Sequence, residues 1–331
     1  MQQNRFNMNR TVSIIIPTYN RTDTLGITIK SLIEQTYPKH LYEIIIADNN
    51  SSDNTKELVE SLAGSSEVRI KYLLESRQGA HFARNSAAQI SESEFLYFTD
   101  DDMIAEKDML ENIIKVFDLD YNIAVAGGRV LPKWEFDPPD WLLKYFQDGT
   151  LSLINKPEKL IITNQDFGIF SCHQVIKKNV FFECGGFNPD IEKEKLIGNG
   201  ETGLNIKILN KGYYFAYAGD SLTYHIIPRS RMTQKYLNNR FSNQGICDGF
   251  TNFRKSEYSK KNLFKLIFNS HIPLLIDNFV ESVIKRLKGN SEWRLKRALF
   301  HYFYYRMKFD LKLIYNDDWR KFVIRDDFFK Y

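Results

Sequence analysis

Three consecutive aspartates, Asp100 to Asp102, close the strand-like run FLYFTDDDM. Carboxylates repel one another unless solvent or a cation joins them, so this run must end at a cleft or a surface. Asp100 and Asp102 have the D-x-D spacing that lets a divalent ion sit between protein carboxylates and a ligand's phosphates, as hard Mg²⁺ or Mn²⁺ is held. The carboxyl end of a strand is also where open α/β sheets bind ligands. The same residues read equally as an acidic helix start, with an N-cap ahead of AEKDMLENIIKVF.

The preceding chain repeats one plan. A polar leader runs into the apolar strand Val12 to Ile16 and then Pro17 and a turn, and the strand Ile44 to Ala47 ends at Asp48 before the polar segment Asn49 to Thr55 and a helix. Further strand-like runs are Val68 to Leu74, Phe95 to Thr99 and Ile123 to Val125, separated by helical spacing such as Leu110, Ile113, Ile114 and Phe117. Strands alternating with helices predict an α/β fold, a mostly parallel sheet flanked by helices.

Six elements occur in order: SIIIPTYNR, ADNNSSDNT, RQGAHFARN, FTDDDM, ECGGFNPDI, and GNGETGL followed by YHIIPRSRMT. Together they resemble the inverting nucleotide-sugar transferases of glycosyltransferase family 2, which have the Rossmann-like GT-A fold. The likeness covers residues 11 to about 245. It implies a catalytic domain over 11–245, with a nucleotide-sugar half at 11–131 and an acceptor half at 132–245. A polar leader at 1–10 would precede it, and a basic amphipathic helical extension would follow over 246–331.

The resemblance also implies roles. Pro17, Tyr19 and Arg21 would line the nucleoside pocket, Tyr19 with its flat face and Arg21 with charge toward the diphosphate. Asp48 would accept the base's imide N–H; as an ordinary strand-end residue it would instead satisfy backbone amides. Gly79 would permit a tight entry to the next helix, where Arg84 would face phosphate or fix Asp100. Asp102 would ligate Mn²⁺ or Mg²⁺, Asp100 would touch the ribose or hold the metal through water, and Asp101 would shape the turn beside the donor.

In the acceptor half, the resemblance places the catalytic base at Glu201, the sole carboxylate opening the helix GNGETGLNIKILNKG. Many relatives carry an acidic pair there. A helix start favours glutamate for its dipole alone. With Glu201 as base, an acceptor hydroxyl would displace the diphosphate directly, with inversion. His225 would lie near the metal or diphosphate, and Arg229 or Arg231 would reach phosphate across the same loop. Trp134 and Trp141, in VLPKWEFDPPDWL, could stack on an acceptor sugar or anchor a long loop. Ser171-Cys172-His173 departs from the small-residue and asparagine motif of many relatives; His173 would replace a donor-sugar contact or satisfy a local carbonyl.

The 331 residues carry a net charge of +4, but the charge is unevenly spread. Residues 254–331 hold 18 Lys and Arg against 9 Asp and Glu, a local +9. They read as two long helices, 261–289 and 292–315, with apolar stripes between cations. Lys265, Asn269, Pro273, Asp277 and Glu281 interrupt the first too often for a bilayer span. Such a pair suits an anionic membrane surface, or packing on the catalytic domain or another subunit. No nucleic-acid module is recognised. The leader lacks an apolar signal core, and three cysteines make no disulfide framework, so a reducing, cytoplasmic compartment is expected.

The sequence therefore predicts a metal-dependent enzyme moving sugar from a UDP-type donor to a glycan or lipid-linked acceptor in surface polysaccharide assembly, peripheral to the membrane. A catalytically silent nucleotide-sugar-binding subunit remains an alternative. A sugar nucleotidyltransferase fits less well, because PTYNRTDT lacks a glycine-rich phosphate loop.

Overall fold

A computed structural model describes residues 9–145, 148–165, 167–188, 199–256 and 258–329. The leader up to Met8, the end of ECGGFNPDI after Asn188, and Gly198 lie outside the described residues. Among the described residues nine strands form one sheet: β1 Val12–Thr18, β2 Tyr42–Asp48, β3 Arg69–Leu74, β4 Phe95–Thr99, β5 Met103–Ala105, β6 Ile123–Trp134, β7 Leu160–Thr163, β8 His173–Lys177 and β9 Tyr214–Ile227. Their order is β3-β2-β1-β4-β8-β6-β9-β5, with β7 paired to β9. Strands β3, β2, β1 and β4 are mutually parallel, as are β6 and β9, whereas β8 runs against both its neighbours. The fold class is the expected one: a mostly parallel α/β sheet flanked by helices, with a helical C-terminal region.

Strand alternation splits the apolar residues between the two faces. Ile14, Ile16, Ile44, Ile46, Phe95 and Tyr97 pack under helices α1 (Thr22–Ile33) and α4 (Met109–Ile114), with α2 (Thr55–Ser65) beside them. Ile15, Ile45, Leu96 and Phe98 face α3 (Ala80–Ile90), whose Ala83, Ala87 and Ala88 allow close approach. Each fully buried aliphatic side chain stabilises the fold by about 1.5–3 kcal/mol. Pro17 lies inside β1 rather than in a turn. Pairing with β4 ends at Ile15↔Phe98 while pairing with β2 continues to Thr18↔Asp48, so the missing N–H falls where one neighbour is already lost.

Helices α5 (Asp140–Tyr145) and α6 (Lys178–Glu183) are short, and α7 (Gly200–Asn210) carries the GETGL element. Helix α8 runs unbroken over Gln234–Ser256, so the division expected at 245/246 falls inside a helix. After it come α9 (Lys260–Leu266), a π-turn at Ile267–His271, α10 (Ile272–Leu287), α11 (Trp293–Tyr315) and α12 (Asp317–Val323). Gly245 and Gly249 let α8 lie close against α11. A Cβ at 245 would strike the Tyr302 carbonyl and one at 249 the Phe309 ring, so α8 meets the α11 backbone at the first and seats an α11 ring at the second. Ile246, Phe250 and Phe253 share one core with Leu263, Phe309, Leu313 and Trp319.

Candidate active site

The site lies at the carboxyl ends of β1 and β4. Asp101 is buried at the turn between β4 and β5, accepting from the Thr18 hydroxyl at 2.8 Å and from Arg21 at 2.9 Å. Burial pushes its carboxyl up to about 6, against the opposing pull of Arg21. Asp102 is also buried, with Oδ2 accepting from Arg21 and Arg231. Burial alone would raise this carboxyl. The guanidiniums of Arg231 and Arg21, both bonded to it, outweigh burial and hold Asp102 well below the usual carboxylate range.

His225 is fixed in a particular orientation. Its Nδ1 lies 2.8 Å from the Leu151 carbonyl, which can only accept, so Nδ1 carries the hydrogen. Nε2 accepts from Arg231 and lies 3.4 Å from Asp102 Oδ1. That buried Oδ1 has no hydrogen-bond partner. An orphaned carboxylate oxygen beside an imidazole nitrogen whose opposite N–H is held by a carbonyl is a donor set a divalent cation fits once Arg231 turns its N–H away from Nε2. Among the described residues no group of three or more His, Cys, Asp or Glu could hold a metal by itself. A cation here would complete its shell with oxygens from outside the chain, as Mg²⁺ commonly does with phosphates and water.

A second group of polar residues lies between the triplet and Glu201. Asp100 accepts from Arg84 Nη2 at 2.5 Å, and Arg84 Nη1 lies 3.1 Å from His81 Nδ1. Phe187 underlies both, its ring stacked on His81 at 5.3 Å and 5.9 Å from the Arg84 guanidinium. Asn85 clamps Phe187 by bonding its backbone N–H and carbonyl. Glu201 sits in the first turn of α7, with Oε1 accepting from the Ser171 hydroxyl and backbone N–H. Burial raises its carboxyl, but His81, Arg84 and the Ser171 bonds prevail and lower it below the ordinary value. Glu201 is thus a carboxylate kept ionised in a half-buried place.

The sequence motifs point to no role for His81 or Ser171, which the fold brings beside Glu201. The signal for His81 was present in RQGAHFARN, three positions before Arg84 and so on the same helix face. Gly79 has φ +139° at the start of α3 and donates to Asn49 Oδ1, a conformation that favours glycine.

Other expected residues are placed differently. Asp48 is buried, accepting from the Ser51 N–H at 2.9 Å and the Tyr72 hydroxyl at 2.7 Å, so its carboxylate already satisfies the turn. Tyr19 is exposed just past β1. Of the two readings of His173, the placement agrees with the one that satisfies a local carbonyl: the ring has no exposed surface and lies between the Tyr97 hydroxyl and Ser221, against Gly128. Burial pushes it down to about 4, so it is a neutral core histidine. Trp134 ends β6 and Trp141 lies in α5. Both pack on the cluster of Leu142, Ile227 and Leu237, with Arg294 4.3 Å over Trp141, as anchors do. Of the two arginines, Arg231 reaches the triplet, whereas Arg229 lies exposed over Phe136.

The model of the family described as Glycosyl transferase family 2 matches residues 13–188, more than half of the chain. The chain belongs to glycosyl transferase family 2. Within the family, it is 26% identical over 219 residues to glycosyltransferase AglE of Haloferax volcanii, covering 65% of this chain and 66% of that one. It is 30% identical over 178 residues to the poly(ribitol-phosphate) beta-N-acetylglucosaminyltransferase TarP of Staphylococcus aureus, covering 51% and 49%. The matched stretch thus spans two thirds or less of these curated relatives. Among solved structures, mannosyltransferase PcManGT from Pyrobaculum calidifontis, in complex with GDP-Man and Mn²⁺, superposes with a TM-score of 0.59 at 16% identity, covering 93% of this chain and 88% of that chain. That likeness shows a shared fold.

Proposed function

We propose that this chain is a glycosyltransferase moving a sugar, with inversion, from a nucleotide-diphosphate donor of the UDP-sugar type to a hydroxyl of a surface glycan or lipid-linked acceptor. The observation that carries this reading is Glu201, held ionised at the start of α7 by the charges of His81 and Arg84 and by bonds from Ser171, while Arg84 also binds Asp100. A carboxylate so placed takes the acceptor's proton while the hydroxyl oxygen bonds to the anomeric carbon and the bond to the diphosphate breaks. General-base help of this kind contributes about 10²–10⁴-fold.

Asp102 and His225, with Asp100 nearby, would hold Mn²⁺ or Mg²⁺, which would neutralise charge on the leaving diphosphate. Arg21, Arg84 and Arg231 supply the protein's own positive charge there, each now spent on a triplet carboxylate. Tyr19 offers an exposed ring for the base, next to Arg21. The relatives' acceptors, such as the poly(ribitol-phosphate) of TarP, favour a cell-surface polymer as the acceptor class. Three free cysteines suit a reducing, cytoplasmic compartment.

Calorimetric titration with UDP, GDP and CDP, with Mn²⁺ and with chelator, tests the donor half of the proposal. UDP should bind in Mn²⁺ and weaken at least about tenfold with chelator. Equal affinity for all three nucleotides, or none, would count against it.

A further inference from the structure

Helix α10 is built inside out. Its inward side carries Asn278 and Ser282, each 4% exposed, whose side chains bond back to the helix carbonyls of Leu274 and Phe279. Its outer side carries Ile276, Val280, Val283 and Leu287, which are 54%, 45%, 44% and 83% exposed. They recur at four- and three-residue intervals, so they form one stripe along the helix. Phe268, 63% exposed on the preceding π-turn, lies just before the helix. A helix that only serves its own core places its apolar stripe inward and its polar residues in water. A contiguous apolar face of this length, about 17 Å from Ile276 to Leu287, marks a surface built for a partner.

Charge selects the partner. Residues 260–297 hold nine Lys and Arg against three Asp and Glu. Lys261 and Lys265 are exposed ahead of the stripe, and Arg286 and Lys288 at its end. Glu281 and Glu292 are both engaged by Lys285. Two copies of this face would bring two like excesses together, whereas an anionic lipid surface meets both properties at once. Its headgroups take the cations and its acyl boundary takes the stripe. No helix among the described residues is long and apolar enough to cross a membrane, so α10 would lie along the surface.

We propose that α10 is a docking helix for anionic membranes, with Ile276, Val280, Val283 and Leu287 turned into the lipid. The face shares no residue with the Glu201 and Asp102 cluster, so its success or failure is separate from that of the sugar-transfer reading. The α11 helix, by contrast, buries its apolar side against α8, which leaves α10 as the exposed part of the extension.

The test uses the full chain with phosphatidylcholine vesicles, with and without phosphatidylglycerol, at low and high salt. The protein should co-sediment only with the anionic vesicles and be released as salt rises. The double variant Val280→Asp/Leu287→Asp alters exposed positions, so its melting temperature should match the parent. Its vesicle binding should be at least about tenfold weaker. Equal sedimentation of parent and variant, or none by the parent, would overturn the proposal. So would concentration-dependent dimerisation that the variant abolishes while vesicles bind neither protein, since a second copy would then be the occupant.

Discussion

Gly200 lies against the imidazole of His81 so closely that a Cβ at position 200 would overlap the ring. The contact joins α3, which bears Arg84, to the start of α7, which bears Glu201. Gly200→Ala should therefore push His81 from its place on Phe187 and destabilise the protein by about 1–3 kcal/mol. Denaturant unfolding measures this. The double variant His81→Ala/Gly200→Ala should be more stable than Gly200→Ala alone, because the clash is gone; an equally unstable double variant would mean the strain lies elsewhere.

The lowered Glu201 carboxyl gives a pH dependence with a definite sign. A base works only when deprotonated, and a pKa below the ordinary value keeps it so in more acid solution. The acid limb of kcat/KM should thus lie below the roughly 4.3 of a free glutamate. Ser171→Ala removes a hydroxyl that favours the charged form and should move that limb upward. A limb that stays put in the variant would separate Ser171 from the ionisation of Glu201.

Much of this arrangement is legible in the chain because uniform apolar runs announce buried strands. Ile14 to Ile16 and Ile44 to Ile46 do so, and the carboxylate triplet marks where the run Phe95 to Thr99 must stop. Only Ile123 to Val125 of β6 reads as a strand in the sequence, since Gly127 and Gly128 interrupt the apolar run; a register shift at Gly128 carries the strand on to Trp134. A Cβ at Gly128 would meet His173 and the Ser221 carbonyl, so the glycine and the buried histidine explain each other across two strands. Such a long-range pairing leaves no local trace. The close approach of Gly245 and Gly249 to α11 is equally long-range and equally invisible locally.

Asp102 should govern donor binding through its unpartnered Oδ1. Asp102→Ala should weaken nucleotide binding at least about tenfold in Mn²⁺ and make the remaining affinity insensitive to chelator. Calorimetry reads both quantities. Undiminished, chelator-sensitive binding by the variant would place the cation elsewhere.

Glu75 offers a stability test away from the site. Arg77 bonds both its oxygens and its neighbour Ser86 donates as well, holding the carboxyl down to about 2. A folded-state pKa below the unfolded one gives stability that is complete above the ordinary value, roughly 4.3, and is lost as pH falls toward about 2. Glu75→Gln should lower the unfolding free energy at neutral pH and flatten its decline across that window. Parallel curves for parent and variant would show that the ion pair contributes nothing.

The most direct test of the account is turnover by parent and Glu201→Gln protein, with UDP-sugars, Mn²⁺ and a polyol-phosphate or lipid-linked acceptor, followed by the anomeric configuration of the product. The account predicts transfer with inverted configuration by the parent. In the variant it predicts turnover reduced about 10²-fold or more with nucleotide affinity nearly unchanged, because a base acts in the transition state. Near-normal turnover by the variant, or a product that retains the donor's configuration, would contradict it.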